Sequence, residues 1–208
     1  MRAFEAEATG QSFSALNAIR RALPMRLSPD TAWFQMHDPA RLIRARLGPQ
    51  VWQDFLSFAV VRNPYDHALS HYLFLKDYRY GRVRRKVRAM RFDDYLDWRL
   101  SARMHPFRSR VSLFARLPDQ AHFVTDGEGR LIVDRILRFE TLARDLGDVC
   151  AALDMPQPQL GHARRTDRPE TDLRPMPVAT AERIERLYAR DFDLFGYDRT
   201  APPLPVID

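Results

Sequence analysis

The stretch FAVVRNPYDHALSHY, residues 58–72, contains two patterns that predict different secondary structures. Its first four residues are apolar and β-prone, which is typical of a short strand buried on both faces in a parallel sheet. Asn63-Pro64 then predicts the start of a helix, because asparagine caps helices well and proline suits the first helical position. The stretch therefore predicts a strand, a tight turn and a helix in direct succession.

This predicted strand-turn-helix places a cation and a hydroxyl where both could contact an anion. Arg62 ends the strand, and Ser70 follows eight residues later, about two turns into the helix. The first N–H groups of a helix lack intrahelical partners and lie at its positive end, so they also favour an anion. The residues leave a second interpretation open, in which Asn63-Pro64 begins an ordinary helix and Arg62 is a surface residue.

The sequence around this stretch predicts several helices. Ser12 and Pro24 bracket one apolar pattern of helical period, and Asp38-Pro39 begins another that reaches Gly48. The predicted helices cover 13–23, 39–47 with a continuation to 55, 140–153 and 180–195.

A hairpin completes the predicted secondary structure. Its two strands cover 122–125 and 130–133, on either side of the turn 126–129, Asp-Gly-Glu-Gly. The mixture predicts an α/β domain with a central, mainly parallel sheet flanked by helices. We expect a single domain over 1–200 and a proline-rich C-terminal tail over 201–208.

Composition limits the function classes further. The 208 residues are 45% hydrophobic, which suits one compact domain, and the single cysteine, Cys150, excludes an internal disulfide framework. No apolar run approaches the roughly 20 residues of a membrane helix, and no signal peptide is recognisable. We therefore expect a cytoplasmic protein without a membrane span. The six histidines and the acidic residues show no metal-ligand pattern, so no metal is expected.

Net charge favours an anionic partner. The formal charge is +6 and the pI is about 9.9, which suits phosphate, sulfate, an acidic glycan, nucleic acid or an anionic membrane. The densest basic stretch, 82–91, has apolar residues at helical spacing. It predicts an amphipathic helix with a solvated basic face; an alternative is a surface for an acidic substrate or nucleic acid.

The string Arg62-Asn63-Pro64-Tyr65-Asp66, followed by Ser70, resembles the 3′-phosphate-binding element of sulfotransferases that use 3′-phosphoadenosine 5′-phosphosulfate. The tyrosine-containing version is typical of the carbohydrate-type branch, family 2. Further similarities follow in the expected order: His37, Asp126-Gly127, Arg138-Phe139-Glu140, His162 before Thr166 and Arg168, and 191–197. The resemblance covers roughly residues 9–198.

The resemblance implies a P-loop-like sulfotransferase fold and a set of functional residues. Arg62 and Ser70 would hold the 3′-phosphate of the donor, and Thr166 and Arg168 match a loop that closes over the nucleotide in relatives. His37 occupies the place of a catalytic histidine and would act as the base, since histidine titrates near neutrality. Alternatively, His37 has no catalytic role and simply lies near the helix that Asp38 caps.

The N-terminal segment departs from the family pattern. Gly10 and Ser12 match the loop that holds the 5′-phosphosulfate, but Glu7 stands where the family has a lysine. At about 4 Å a carboxylate would repel the phosphosulfate by roughly 4 kcal/mol at an effective dielectric of 20. The preceding strand, 1–6, is short and charged, so the first strand is expected to be truncated or atypical.

Three functions follow as hypotheses. The first is a sulfotransferase acting on a hydroxyl of a carbohydrate or related acceptor, with an acidic glycan or a small molecule as the candidate acceptors. The second is a non-catalytic protein of the same fold whose donor site has decayed, and Glu7 is its supporting feature. The third, a nucleic-acid-binding protein, rests on net charge alone and is the least favoured.

Overall fold

The structure is a computed structural model, which describes residues 34–35, 37–104, 110–160, 173–200, 202 and 204–205. The predicted helix over 13–23 lies outside these residues. In chain order the elements are α1 (Ala40–Leu47), α2 (Pro49–Asp54), β1 (Phe58–Val61), α3 (Pro64–Lys76), α4 (Gly81–Arg88), α5 (Phe92–Met104), α6 (Arg110–Ala115), α7 (Ala121–Val124), β2 (Arg135–Arg138), a 3₁₀-helix (Phe139–Thr141), α8 (Leu142–Ala152), β3 (Leu173–Arg174), α9 (Val178–Leu187), α10 (Ala189–Phe195) and β4 (Leu204–Pro205). The mixed α/β class predicted from the sequence is confirmed.

Strands β1 and β2 form a parallel pair, in agreement with the predicted parallel sheet, although the sequence predicted no strand over 135–138. Their register runs from Phe58 opposite Arg135 to Val61 opposite Arg138, so both strands end at the same edge. Strands β3 and β4 form a separate antiparallel pair. Since β1 and β2 are in register, the residues that follow them are neighbours at the carboxyl edge, where α/β proteins place their ligands.

Burial of β1 differs from the prediction. Val61 is buried, whereas Phe58 and Val60 are each 46% exposed in the part of the chain that the structure describes. Because alternate residues of a strand face opposite sides, one face of β1 packs against the helical core and the other stays partly open. The predicted burial on both faces is therefore wrong for these residues.

Helix α3 occupies the centre of the core. It buries Tyr65, Leu69, Tyr72 and Leu75. Helices α4, α5 and α9 pack around it and contribute buried aliphatic and aromatic side chains. Each fully buried side chain of this size contributes about 2 kcal/mol by leaving water. The long α3 is thus fixed along most of its length by its own apolar face.

The basic stretch forms the predicted amphipathic helix. In α4, Val83 and Val87 are fully buried, while the arginines between them are exposed to solvent. Arg88 donates to the main-chain oxygen of Lys76 at 2.7 Å, so α4 packs at the C-terminal end of α3. About 18 Å separate the two ends of α3, at 1.5 Å per residue, and Arg62 lies beyond the other end. The basic face therefore lies toward the opposite end of α3 from the main chain of Arg62, whose guanidinium reaches Ser70 in the middle of the helix.

The predicted helices over 39–55, 140–153 and 180–195 are confirmed, with two interruptions. Gly48 has φ +81 and separates α1 from α2, because this left-handed conformation ends the helix at a residue without a Cβ atom. Tyr188 similarly separates α9 from α10. Helix α8 matches the predicted helix over 140–153, and its Cys150 is a buried free thiol. None of the helices described by the structure has the length and apolar content needed to cross a lipid bilayer.

The predicted hairpin is wrong, since neither 122–125 nor 130–133 forms a strand. Residues 121–124 form the helical turn α7, and one antiparallel bridge, between Thr125 and Leu131, is all that joins the two predicted strands. Asp119 accepts from the N–H of His122 at 3.0 Å, and Asp191 accepts from the N–H of Ala121 at 2.8 Å. These carboxylates satisfy the N–H groups that a helical turn leaves unpaired.

Asp191 links α10 to α7 from a fully buried position. Its Oδ1 accepts from Ala121 N, and its Oδ2 accepts from Gln120 N at 3.0 Å and from Gln120 Nε2 at 3.2 Å. Burial raises the pKa of this carboxyl, although the two main-chain N–H groups act in the opposite direction. A buried carboxylate with three N–H donors is the principal polar contact between these elements.

We expect Asp191→Ala to lower the free energy of unfolding by about 3 kcal/mol, because three N–H donors lose a buried acceptor. Urea unfolding followed by circular dichroism measures the change. Asp193→Ala is the matched control, since Asp193 is exposed and pairs with Arg199 at the surface; it should cost less than about 1 kcal/mol. Equal losses of unfolding free energy in the two variants would show that the buried contacts of Asp191 stabilise the fold no more than the surface ion pair of Asp193 does.

Candidate active site

Arg62 lies at the carboxyl edge of the parallel strands. Its Nη1 donates to Ser70 Oγ at 3.0 Å, and its Nε donates to Asp66 one turn into α3. Its guanidinium group lies 4.6 Å from the ring centre of Phe139, the residue that follows β2. The structure thus brings Arg62 and Ser70 together, as the sequence predicted, and adds an aromatic face and a carboxylate that hold the guanidinium plane.

The start of α3 differs from the predicted anion site. Asn63 Oδ1 accepts from Tyr65 N at 3.0 Å, and Asn63 N donates to Glu140 Oε1 at 2.6 Å. Pro64 has no N–H to offer. The cap therefore occupies part of the main-chain N–H groups that were expected to bind an anion. The predicted role of Arg62 and Ser70 as anion ligands stays a prediction.

Gln120 holds the main chain of Arg62 in place. Its Oε1 accepts from Arg62 N at 2.9 Å, and its Nε2 donates to Arg62 O at 2.8 Å. The same Nε2 contacts Asp191, so one amide connects the end of β1 with α7 and α10. The guanidinium group therefore extends from a backbone that is fixed on both sides.

Tyr65 fixes the first turn of α3 against the C-terminal part of the chain. It is fully buried, its ring packs edge-on against Phe192, and its hydroxyl lies 2.6 Å from Glu185 Oε1 and 2.8 Å from Arg199 O. A hydroxyl has one proton, so it donates to one of these acceptors at a time. The tyrosine of the Arg-Asn-Pro-Tyr string is thus a packing residue.

His37 lies on the exposed segment that leads into α1. Its backbone has φ +71, a left-handed conformation that is uncommon for a residue with a side chain. The neighbouring Asp38 accepts from Gln35 N at 2.7 Å and from Arg46. No hydrogen bond or ion pair joins His37 to Arg62 or Ser70, although the structure describes all three residues. Its role as the base stays a prediction.

The other predicted site residues lie outside the described part of the chain. These are Gly10 and Ser12 of the 5′-phosphosulfate loop, Glu7 at the lysine position, and Thr166 and Arg168 of the closing loop. Their functions stay predictions. Among the residues that the structure describes, no group of three or more histidine, cysteine or acidic side chains is arranged to hold a metal ion.

A polar cluster lies behind the Arg62 site, within the core. The rings of His67 and His71 stack with centres 6.4 Å apart, and His71 Nδ1 hydrogen-bonds the hydroxyl of Tyr95. Arg99, which is 1% exposed, donates to the Tyr188 hydroxyl and to the main-chain oxygen of Leu117. The cluster places a buried positive charge beside two histidines.

This environment keeps both histidines neutral. Burial, followed by the charges of Arg99 and Arg62, lowers the pKa of His67 to about 4, with Asp66 acting in the opposite direction. Burial, Arg99 and His67 lower the pKa of His71 to about 3. At neutral pH neither ring carries a charge. The positive charges that act on the two rings are those of Arg99 and Arg62.

An arginine–serine pair at the carboxyl edge of parallel strands, inside an α/β domain, is typical of nucleotide-dependent transferases and related phosphate-binding enzymes. Among these, the chain belongs to the sulfotransferase family, because the sequence model of that family matches residues 30–198. The resemblance to carbohydrate-type, family 2 sulfotransferases is confirmed, and the protein is an enzyme of the sulfotransferase class. No curated protein and no solved structure matches the chain with significance.

Sequence reasoning missed the residues that position Arg62. Phe139 and Glu140 were noted only as part of a motif, and parallel pairing of β1 with β2 places them beside Arg62 and Asn63. Gln120 gave no signal in the sequence, because its contact with Arg62 joins residues 58 positions apart. Local patterns cannot predict such a contact.

The depressed histidine pKa values predict acid-sensitive stability. An unfolded histidine titrates near 6.5, so below that pH the unfolded chain binds protons that folded His67 and His71 reject until about pH 4 and 3. Stability is therefore fully present above pH 6.5 and falls as the pH drops. Between pH 7.5 and 5.5 the two histidines together should cost about 3 kcal/mol.

Urea unfolding at the two pH values measures this loss. The double variant His67→Gln with His71→Gln removes both titrating groups, so its free energy of unfolding should change far less over the same range. If wild type and double variant lose the same amount, the two histidines do not control the acid sensitivity.

Proposed function

We propose that the protein transfers the sulfuryl group of 3′-phosphoadenosine 5′-phosphosulfate to a hydroxyl of a carbohydrate or related acceptor. The observation that carries the proposal is the Arg62–Ser70 pair, with Nη1 and Oγ 3.0 Å apart at the shared end of β1 and β2. Membership of the sulfotransferase family supports it, since that family generally uses this donor.

The proposed reaction needs in-line geometry and a proton acceptor. The acceptor oxygen attacks the sulfur atom, a new S–O bond forms, and the bond between the sulfur and the phosphate oxygen of the donor breaks. Adenosine 3′,5′-bisphosphate leaves, and the hydroxyl proton passes to a base. As in phosphoryl transfer, catalysis depends mainly on positioning and on stabilising the charge that moves onto the leaving group.

Arg62 and Ser70 are proposed to bind the 3′-phosphate of the donor. A guanidinium group offers five N–H donors in a planar fork, and in this structure Asp66 engages Nε while Ser70 engages Nη1. The remaining N–H groups can donate to phosphate oxygens, and the Ser70 hydroxyl proton can be redirected to a phosphate. Phe139 and Asp66 limit the rotation of the guanidinium plane, so binding loses little side-chain entropy.

His37 is proposed to accept the proton of the acceptor hydroxyl. Its exposure leaves the imidazole accessible to a substrate, and its left-handed backbone is a conformation that structures retain more often at functional positions. A positioned base contributes typically 10²–10⁴-fold to the rate.

We propose a carbohydrate-like acceptor because the resemblance is to the carbohydrate-type branch of the family. The net charge of +6 favours an acceptor with acidic groups. The basic face of α4 packs at the C-terminal end of α3, away from the main chain of Arg62. Its contribution would be to attract a long anionic chain.

A thermal-shift titration with adenosine 3′,5′-bisphosphate tests the donor site. A ligand at 100 times its Kd stabilises the folded state by about 2.7 kcal/mol, which corresponds to a rise in Tm of several degrees for a domain of this size. Arg62→Ala should weaken binding roughly 100-fold, since hydrogen bonds to a charged group contribute about 3 kcal/mol.

Arg79→Ala is the matched control for this titration. Arg79 is an exposed arginine in the segment between α3 and α4, so its removal should leave the shift unchanged. The donor assignment fails if millimolar ligand gives no shift in the wild type, or if Arg62→Ala and Arg79→Ala respond alike.

His37→Asn tests the base. Asparagine tolerates the left-handed backbone, so the variant removes the imidazole without adding strain. We expect kcat to fall between 10²- and 10⁴-fold, with the nucleotide-induced shift retained. Sulfate transfer to a hydroxyl acceptor, followed by release of adenosine 3′,5′-bisphosphate, measures the rate; activity within threefold of the wild type would exclude His37 as the base.

A further inference from the structure

A polar pocket of about 510 Å³ lies between α1, α7 and α10. It is lined by Arg41 of α1, His122 of α7, Arg190 of α10 and the turn 126–129. Three separate helices therefore direct cationic or titratable side chains into one cavity. None of the motifs singled out in the sequence accounts for Arg41 or Arg190.

The pocket lies between two elements that carry the proposed site. Arg41 is four residues after His37, at the start of α1. On the opposite side, His122 is two residues after Gln120, whose side chain bonds both main-chain polar groups of Arg62. The pocket is thus close in sequence to the proposed base, His37, through Arg41. Through His122 it is close to Gln120, which holds the main chain of Arg62.

Arg41 supplies an uncompensated positive charge. Its Nη1 donates to the main-chain oxygen of His122 at 3.1 Å, and its Nη2 lies 3.3 Å from His122 Nε2. Both partners are neutral, and no ion pair joins Arg41 to a carboxylate in the part of the chain that the structure describes. Since guanidinium can only donate, Nε2 accepts and the neutral imidazole carries its proton on Nδ1.

The titration of His122 reflects this positive environment. Burial lowers its pKa first, followed by the charge of Arg41; Arg190 acts in the same direction, and Asp119 partly offsets them. Arg190 lies 3.6 Å from Asp119, donates to Thr125 Oγ1 at 3.3 Å and is about half exposed, so part of its guanidinium group is open to a ligand.

The acidic residues of the pocket are compensated within their own turn. Asp126 accepts from the main-chain N–H groups of Glu128 and Arg130, each at 2.9 Å, and from Arg130 Nε at 3.0 Å. Glu128 pairs with Arg130 Nη1 at 2.9 Å. Asp126 and Glu128 thus line the pocket as carboxylates that Arg130 already pairs with, whereas no ion pair engages Arg41 within the described residues.

We infer that this pocket binds an anionic group of the acceptor, a carboxylate or sulfate carried by the same molecule as the reacting hydroxyl, through Arg41 and Arg190. The assignment of the anion to an acceptor rests on the proposed function. A planar guanidinium group matches a carboxylate or sulfate with two parallel hydrogen bonds, which adds directional specificity to charge attraction. The pocket is large enough for one sugar-sized residue.

Methyl β-D-glucuronide and methyl β-D-glucoside are the probes, because they share a ring and differ by the carboxylate. Proton NMR of the full chain follows the C2–H signal of His122, which His122→Gln assigns. We expect a saturable shift with the glucuronide and a shift at least tenfold weaker with the glucoside. Arg41→Gln and Arg190→Gln should each weaken glucuronide binding at least tenfold.

Arg186→Gln is the matched control, since Arg186 is exposed on α9 and does not line the pocket. It should bind the glucuronide as the wild type does. Retention of the shift induced by adenosine 3′,5′-bisphosphate shows that Arg41→Gln and Arg190→Gln are folded. The inference is overturned if the two sugars bind equally, if neither binds, or if the two pocket variants bind as well as Arg186→Gln.

The donor site and the pocket can be separated in the same experiments. Arg62→Ala should lose the nucleotide but still bind the glucuronide, since the carboxylate contacts Arg41 and not Arg62. Displacement of the glucuronide by adenosine 3′,5′-bisphosphate would show instead that the pocket is part of the donor site. A wild type that binds the glucuronide but gives no shift with adenosine 3′,5′-bisphosphate counts against the proposed function and leaves the anionic pocket standing.

Discussion

Parallel pairing of β1 with β2 is the constraint on which the site depends. Because the strands are in register, Arg62 and Asn63 emerge beside Phe139 and Glu140 at one edge of the sheet. The guanidinium group then lies on the Phe139 ring, and Glu140 accepts from Asn63 N. A shift of the register by one residue would separate all of these contacts, since neighbouring residues of a strand face opposite sides.

Helix α3 combines a structural and a chemical role on two faces. One face buries Tyr65, Leu69 and Tyr72 in the centre of the domain, and the other places Ser70 under the guanidinium of Arg62. The apolar face fixes the helix by burial, and so the position of the hydroxyl follows from packing. The same helix carries His67 and His71, which the surrounding burial and arginine charges keep neutral.

Buried charges hold the described helices in relation to one another. Asp191 accepts from three N–H groups at the start of α7, and Arg99 donates to Tyr188 and to main-chain oxygens. Removing water from such groups is costly unless they are fully hydrogen-bonded, so each arrangement tolerates little displacement. Asp191 also accepts from the side chain of Gln120, which in turn holds the main chain of Arg62. Two residues further along, His122 lines the pocket that contains Arg41.

The amino-acid sequence by itself determined the local elements and the proximity of Arg62 to Ser70. The apolar run 58–61, the Asn63-Pro64 cap and the eight-residue spacing to Ser70 predict β1, α3 and the anion ligands, because strand period, capping and helical rise act between near neighbours in the chain. The amphipathic pattern of residues 82–91 likewise predicted helix α4, because the helical period also depends on near neighbours in the chain.

Only the tertiary structure decided which distant residues meet. The apparent strand at 122–125 became α7 because carboxylates of Asp119 and Asp191 satisfy its first N–H groups, and the second of these lies some 70 positions further along the chain. Gln120, Phe139 and the pocket around Arg41 likewise depend on contacts between residues far apart in sequence. Such contacts follow from how helices and strands pack, and packing depends on shape and charge summed over several elements rather than on the pattern of any one segment.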